Sequence, residues 1–458
     1  MKLSKGDVQG KARDVLDVRF EEQNLTSFSG LVIFQRFFNQ IELKERLRQC
    51  FRHLRGHEIY GHHVVVMMLI VHLVLGYREL RDSRYYHDDE MVKRLLGLKH
   101  LPEVSTVSRA LASADERSVG NLRAENRRLV LERLRELELA RVTVDFDGSV
   151  QSTGRHAEGT AVGFNKKKKG ARSYYPLFGT LAQTGQVLDV HHRPGNVHDS
   201  NGAQHFIEQC VEEIWNTLPR AQIEARVDSA FFSEAIVESL HDGGVEFTAS
   251  VPFERFPVLK RMIEGRRRWR RIDDGLSFFE SQWKPDSWSE RFRFLFIRKR
   301  VRHQNKDPIQ LDLFVPHEEG YEFKVIVTNK QVRPKPVVTF HEGRGSQEGI
   351  FAELKSHCQM DYVPVTTRVG NQIYLLSAML AHNLTRELQM VTRPPQRGTT
   401  AKRTALWAFE QLDTIRRNLI QRAGRLIRPQ GKLVLSMNNN TAVETELLHY
   451  LDALDLAA

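Results

Sequence analysis

Cysteine is scarce in this chain: three in 458 residues, Cys50, Cys210 and Cys358, with no C-x-x-C pair among them. That spacing gives no support to a disulfide framework or a cysteine zinc site. It suits a reducing, intracellular setting. Long apolar runs are also missing. The most apolar stretch, "HHVVVMMLIVHLVLGY" (62–77), carries His72 and falls short of the ~20 residues of a membrane span. It reads as a buried helix, so no membrane partner is expected. The opening "MKLSKGDVQGKARD" has no apolar core and does not resemble a signal peptide. There are no internal repeats and no long low-complexity tract.

What is present points to a soluble, basic protein. Hydrophobic residues make up 41% of the chain, enough for real cores, and charged residues 27%, an ordinary share. Lysine and arginine number 68 against 57 acids, a net charge of +11. Such a balance speaks about partners, with nucleic acid first among polyanions. The length suggests about three domains.

Residues 1–140 read as helical, with apolar residues at a period of ~3.6. Within them "LPEVSTVSRALASA" (101–114) offers Ser105 or Thr106 as cap of a short helix bearing Ser108 and Arg109. That helix looks like the second of a helix-turn-helix, although short capped helices occur in any bundle. Residues 1–140 are therefore expected to be a DNA-binding, end-recognition domain.

At Arg141 the period changes to two. "RVTVDFDGSV" sets Val142, Val144 and Phe146 on one face and Thr143, Asp145, Asp147 and Ser149 on the other. "YYPLFGTLA" and "QVLDVHHR" follow as strands joined through Thr184-Gly185, a hairpin signal. A helix over 200–218, a strand "QIEARVDSA", a helix ending at Gly243-Gly244 and a strand "VEFTASV" complete the order β-β-β-α-β-α-β. This is the element order of a ribonuclease H-like fold, an analogy of topology alone. Residues 141–264 form its first part. Residues 265–335 are strand-rich ("RRWRRI", "LSFFESQW", "RFRFLFIRKRVR", "IQLDLFVP", "EFKVIVTN") and read as an all-β insertion. Residues 336–390 return to the core. Residues 391–458 comprise a basic linker, "VTRPPQRGTTAKR", and C-terminal helices, with helix read through "TALWAFEQLDTIRRNLIQRAGRLI".

Three acids fall where such a fold puts its chemistry. Asp147 lies on the first strand, Asp228 ends the fourth, and Glu348 follows the insertion. Side chains at strand ends gather the functional groups of open α/β sheets. An acid at the tip of "IEARV" is a poor core residue unless paired or metal-bound. Carboxylate oxygens suit Mg²⁺ or Mn²⁺, and two such ions ~3.5–4 Å apart clamp an in-line phosphoryl displacement. Each acid by itself is more often a solvated turn residue. Asp145 shares the face of Asp147 and is the alternative first ligand. Asp147 is preferred because Ser149 stands two residues on, able to orient a bound water. "DVHHRPGNVHDS" (189–200) holds His191, His192, His198 and Asp199, but one loop without a matched ligand set is a weak metal site.

"HEGRGSQEGIFAELK" (341–355) puts Arg344, Glu348 and Lys355 on one strip. At ~100° per residue Glu348 lies ~40° and Lys355 ~20° from Arg344. The plain alternative is a solvated face with an ion pair four residues apart, worth ~0.3–0.5 kcal/mol.

Together these segments resemble the DDE transposases of bacterial insertion sequences. They resemble most the group whose signature helix reads Tyr-(2)-Arg-(3)-Glu-(6)-Lys. Arg344, Glu348 and Lys355 match that spacing. The Tyr position is His341, with Phe340 beside it, a departure that leaves the family's tyrosine role open here. "DFDGS" is similar to the first-Asp motif and "RVDSAFFSEAIVESL" to the second. "RPGNVHDSNGA" is similar to the loop between them, and "AMLAHNLTREL", with Asn383, to the C-terminal helix. The resemblance covers about 140–390 well.

It implies that Asp147, Asp228 and Glu348 hold two Mg²⁺ (or Mn²⁺) ions. It implies cleavage at the ends of a mobile element and attack of the freed 3′-hydroxyl on target DNA. Arg344 and Lys355 would grip flanking phosphates. Double-stranded DNA is the expected partner, with a homodimer pairing two ends, in the cytoplasm at the bacterial nucleoid. Other basic runs fit as DNA tracks: Lys166, Lys167, Lys168, Lys169 and Arg172; Arg266 and Arg268 beside Trp269; Arg298 and Arg300. Any one charge run is more often a solvated face. Trp269 hints at base stacking.

Overall fold

The computed structural model describes residue 20 and residues 24–54, 59–154, 156–163, 165, 168–198, 200–300, 320–398 and 406–457. The expected strand "IQLDLFVP" lies outside them, as do Lys166, Lys167 and Asp199.

The first part is helical, as its period suggests. Helices span Leu31–Gln40, Leu43–Cys50, His62–Val74, Glu90–Leu96, Val104–Ser113 and Glu116–Leu137. His62–Val74 is apolar all round and almost wholly buried, which is what an unbroken apolar run achieves inside a bundle. No helix among the described residues is long and apolar enough to cross a membrane. The helix at Val104 opens two or three residues earlier than a serine or threonine cap at 105 or 106 predicts. Glu103 is its N-cap, with no side-chain cap bond, and Ser105 and Thr106 lie inside it.

A nine-stranded sheet forms the second layer. In chain order its strands are β1 (Arg141–Gly148), β2 (Leu177–Leu181), β3 (Val187–His191), β4 (Gln222–Val227), β5 (Glu246–Val251), β6 (Arg270–Asp273), β7 (Leu276–Trp283), β8 (Phe292–Arg300) and β9 (Tyr321–Thr328). Their order in space is β6-β7-β8-β9-β5-β4-β1-β2-β3. β4 runs parallel to β1 and β5 parallel to β4, whereas β2 is antiparallel to β1. Helices Ala203–Thr217 and Glu234–Asp242 cross between the parallel strands, the long connection that parallel neighbours require. The hairpin from β2 to β3 turns at Gly185, whose φ of +63° is left-handed, a conformation glycine adopts freely. The strand-rich stretch after residue 265 extends this same sheet: β9 pairs antiparallel with β5, Val325 opposite Val251. Three short strands, Gln151–Ser152, Ala161–Val162 and Arg172–Tyr174, form a small separate sheet between β1 and β2.

Helix Arg368–Thr392 joins bundle to sheet and is buried along nearly its whole length. Asn383 seals its contact with the edge strand. Its Oδ1 accepts from the Val187 N–H at 2.8 Å, and its Nδ2 donates to the Val187 carbonyl and to Asn126 Oδ1. Arg123 grips the buried Asp189 of β3 through two bonds of 2.5 and 2.7 Å.

The C-terminal part departs from expectation. Within the stretch expected as one helix to Ile427, helix among the described residues is confined to Leu412–Ile415 and a π-turn at Arg416–Ile420. Gly424–Ile427 and Val434–Met437 then form an antiparallel ribbon, followed by helix Thr441–Leu456. Leu25–Thr26 adds the third strand, Leu25 opposite Arg425. Leu426 N–H bonds to the Asn24 carbonyl at 2.9 Å and Ser29 N–H to that of Arg422 at 3.0 Å. Arg416 donates to the carbonyls of Leu73 and Val74, and Gln40 to that of Leu454. The helical bundle is thus built from both ends of the chain.

Candidate active site at the ends of two parallel strands

β1 and β4 run side by side, with Asp145 opposite Arg226 and Phe146 opposite Val227. Asp147 and Asp228 follow, one residue past the last registered pair on each strand. Neighbouring strands lie about 4.8 Å apart, so this register sets the two acids beside each other at the edge formed by the C-terminal ends of these interior strands. Asp147 Oδ1 accepts from the Gly148 N–H at 2.8 Å. Asp228 Oδ1 accepts from the Ala230 N–H at 2.8 Å and opens a tight turn over Ser229–Phe231. Both side chains are half-buried.

Helix Gly345–Ser356 is seated over this edge. Gln347 Nε2 donates to the Asp145 carbonyl at 2.9 Å. Arg344, its N-cap, donates from Nη1 to Asp147 Oδ2 at 3.1 Å. The next residue after Gln347, Glu348, faces solvent with no hydrogen bond or ion pair among the described residues. Of the plain alternative for this strip, the solvated face holds at Glu348 but the ion pair does not: Arg344 pairs with Asp147 and not with Glu348. Lys355 ends the helix, half-buried. Glu348 and Lys355 are about 10.5 Å apart along the axis, at 1.5 Å per residue.

Asp145 is in a different position from Asp147. Its side chain is fully buried and clamped by Arg226 through bonds of 2.6 and 2.7 Å. Burial pushes the Asp145 carboxyl up, opposed by hydrogen bonds and charge from Arg226 and by the charge of Arg344. A carboxylate closed in this way offers no open oxygen. Arg226 also donates to the Phe340 carbonyl at 3.0 Å and passes beneath Gly343. A Cβ at Gly343 would lie 2.2 Å from its Nη1, so the link into the Glu348 helix needs glycine for close approach. Arg226, Gln347 and Gly343 were not singled out from the sequence. The available signal was a cation, Arg226, between the apolar Ala225 and Val227 of the strand, since a buried cation demands an anion opposite it.

His341, at the tyrosine position of the signature, belongs to the preceding helix, Pro334–Glu342. It is buried between Thr248 and Ser250, its Nδ1 3.0 Å from Thr248 Oγ1 and its Nε2 2.9 Å from Ser250 Oγ. Burial holds it neutral, well below the usual histidine range. Phe340 lies under Arg226 and Lys330, with 5.3 and 4.1 Å to its ring centre.

The expected DNA tracks divide. Lys168, Lys169, Arg266, Arg268 and Arg300 are exposed. Arg172 is turned inward, onto Thr160. Trp269 is no open stacking platform: Phe279 and Phe323 pack against it, and the Arg298 guanidinium covers it 4.8 Å from the ring centre. Arg298 also bonds to Ser277 Oγ at 2.8 Å. In the histidine loop, half-buried His192 packs against Tyr174, and loss of solvent around its ring holds it near pKa 3.

The donor set Asp147, Asp228 and Glu348 is all oxygen, which fits a hard divalent cation. The arrangement is not closed around one: among the described residues no three His, Cys, Asp or Glu side chains come together as metal ligands.

The family model described as Transposase DDE domain group 1 matches residues 8–458. No curated protein matches the sequence. Among solved structures, the piggyBac transposase synaptic complex with hairpin DNA is similar over 79% of this chain and 76% of its own, at 10% identity and a TM-score of 0.36. The Mos1 transposase paired-end complex with the left transposon end is similar over 43% of this chain and 60% of its own, at 12% identity and a TM-score of 0.18.

Proposed function

We propose, from the premise that the chain belongs to the Transposase DDE domain group 1 family, that it is a DNA transposase whose reaction centre is Asp147, Asp228 and Glu348. The core sheet is proposed to be ribonuclease H-like. The observation that carries this reading is the strand register bringing Asp147 and Asp228 to one edge, under the helix that bears Arg344 and Glu348.

The chemistry is two phosphoryl transfers. In the first, a water oxygen bonds to phosphorus at the element's end, the bond to the 3′-oxygen breaks, and that oxygen leaves as a hydroxyl. In the second, this hydroxyl oxygen bonds to a target phosphorus and displaces the target's own 3′-oxygen, which takes the proton. Asp147, Asp228 and Glu348 would hold two Mg²⁺ or Mn²⁺ ions, which when bound stabilise the attacking and leaving oxygens. Asp147 is the first ligand in this reading and not Asp145, whose oxygens are taken by Arg226. Arg344 grips the phosphate beside the scissile one, and Lys355 a more distant one as a point charge. Lys168, Lys169, Arg266, Arg268 and Arg300, all exposed, would contact the DNA backbone. Two copies pair the two ends, at the nucleoid of a bacterial cell.

The test uses labelled duplexes made from the DNA bordering the gene. Wild type with Mg²⁺ is expected to cut them and join the 3′-ends to a target. Asp228→Ala is expected to bind without cutting. Normal cutting by Asp228→Ala overturns the site, and cutting without joining reduces the activity to that of a nuclease.

A further inference from the structure

A second basic site shares no residue with the carboxylate site and lies where Leu25–Thr26 meets Gly424–Ile427. Helix Glu90–Leu96 and the ribbon Gly424–Met437 enclose an open cleft of about 900 Å³. Lys93, Arg94, Lys99, Arg425 and Arg428 line it, with Glu90 as its single acid. Glu90 is spent on Lys93, 2.5 Å away. Arg94, Lys99 and Arg428 are exposed, and none of them has an ion pair among the described residues.

Both walls are fixed by one residue. Asp89 Oδ1 caps the helix by accepting from the Met91 and Val92 N–H groups and also accepts from Thr26 Oγ1 at 2.8 Å. Its Oδ2 accepts from the Ser27 N–H at 2.9 Å. Leu25–Thr26 in turn pairs with the ribbon strand Gly424–Ile427. The carboxylate thereby ties helix to ribbon and holds like charges near one another. Favourable charge at a helix C-terminus accounts for Lys93 and Arg94. It does not account for Lys99 or for the ribbon's Arg425 and Arg428. Beyond Arg428 the ribbon turns through Pro429–Gly431, Gln430 and Gly431 both having positive φ, and Lys432 is exposed on the returning side. The result is an exposed two-stranded tip with Arg428 on one flank and Lys432 on the other.

We propose that this cleft is a second DNA contact, in which the helix end and the ribbon tip hold the phosphate backbone of a duplex. The proposal rests on the reading of the protein as an enzyme of DNA and adds a site to it. A two-stranded ribbon fits the major groove of a duplex. An open, cation-lined cleft whose acid is already neutralised matches a continuous polyanion.

The test measures binding of the full chain to a mixed-sequence duplex of about 30 base pairs by fluorescence anisotropy over a range of salt, without divalent ions. The variant is R94Q/K99Q/R428Q. The control, R117Q/R135Q/R255Q, removes three exposed cations elsewhere. Each lost phosphate contact lowers the log–log salt slope by about 0.9, so the cleft variant should lose about 2–3 and bind at least about tenfold more weakly. The control should change by less than about one. All substituted side chains are exposed, so equal thermal midpoints are expected. A cleft variant with an unchanged slope, or a control that loses as much, overturns the cleft alone. Failure of wild type to bind any duplex removes the DNA reading and the cleft with it.

Discussion

Arg344, 197 residues beyond Asp147 in the chain, donates from Nη1 to its Oδ2 across 3.1 Å. One carboxylate oxygen of the proposed centre is thus in use by a residue proposed to grip DNA. A phosphate that draws Arg344 away would free Asp147 for a cation, so DNA and metal should favour each other's binding. Without DNA, Arg344→Gln should bind Mn²⁺ about fivefold more tightly, reflecting the ~1 kcal/mol of such an ion pair. It should nonetheless cut DNA about 10²-fold more slowly, the usual loss when one charge-stabilising donor is removed. Titration calorimetry with Mn²⁺ and a cleavage assay check the two halves. An unchanged Mn²⁺ affinity means the pair does not compete with metal.

The two aspartates of "DFD" should fail differently. Asp147→Asn should keep the melting temperature and lose cleavage. Asp145→Asn leaves the buried Arg226 without its counter-charge, a loss of ~3–5 kcal/mol in comparable buried pairs. Its melting temperature should fall, while the folded fraction still cuts. Urea unfolding and activity per folded molecule separate the cases. The reverse ranking would move the first ligand to Asp145.

Asn383→Leu should loosen the sheet edge. The substitution removes three hydrogen bonds, leaves the Val187 N–H and Asn126 Oδ1 unpaired in the core, and costs about 2–4 kcal/mol. Hydrogen exchange at Val187 should accelerate, with little change at Asp228. Protection at Val187 equal to wild type would contradict the role assigned to Asn383.

Acid should destabilise the protein well above the carboxylate range. Burial holds His72 and His382 near pKa 4 and His192 near 3, against about 6.5 unfolded. With folded values depressed, the unfolded chain binds more protons below pH ~6.5. This stability is fully present above about pH 6.5 and drains as pH falls toward about 4, by ~2 kcal/mol per histidine at pH 5. Urea midpoints at about pH 7.5 and 5 measure it, and His382→Gln should flatten the profile. Equal midpoints at both pH values contradict it.

Patterns carried by local period were legible in the sequence. The bundle helices, the alternation of β1 and the turn at Gly185 follow from spacing and backbone preference alone. The strip Arg344–Glu348–Lys355 was legible as a shared face. Its partner was not, because Asp147 meets Arg344 only through tertiary closure. Arg226 was missed for the same reason: a buried ion pair between strands is visible once β4 is known to lie beside β1. Trp269 beside arginines looked like a nucleic-acid contact, but the strands that cover its ring follow it in the chain. The ribbon at 424–437 was read partly as helix. "RAGRLI" continues an apolar period, but it pairs with Val434–Met437 across a turn at Pro429–Gly431 and with Leu25–Thr26, about 400 residues earlier.

That distant pairing sets an order of events during synthesis. Gln40 and Leu454, joined by a hydrogen bond, are separated by 414 residues. At about 5–20 residues per second, the opening helices wait on the order of 20–80 s on the ribosome for the segment that completes their packing. Chains interrupted ahead of helix Thr441–Leu456 would leave that apolar surface uncovered, so nonsense alleles just before it should yield aggregates rather than shortened, working protein.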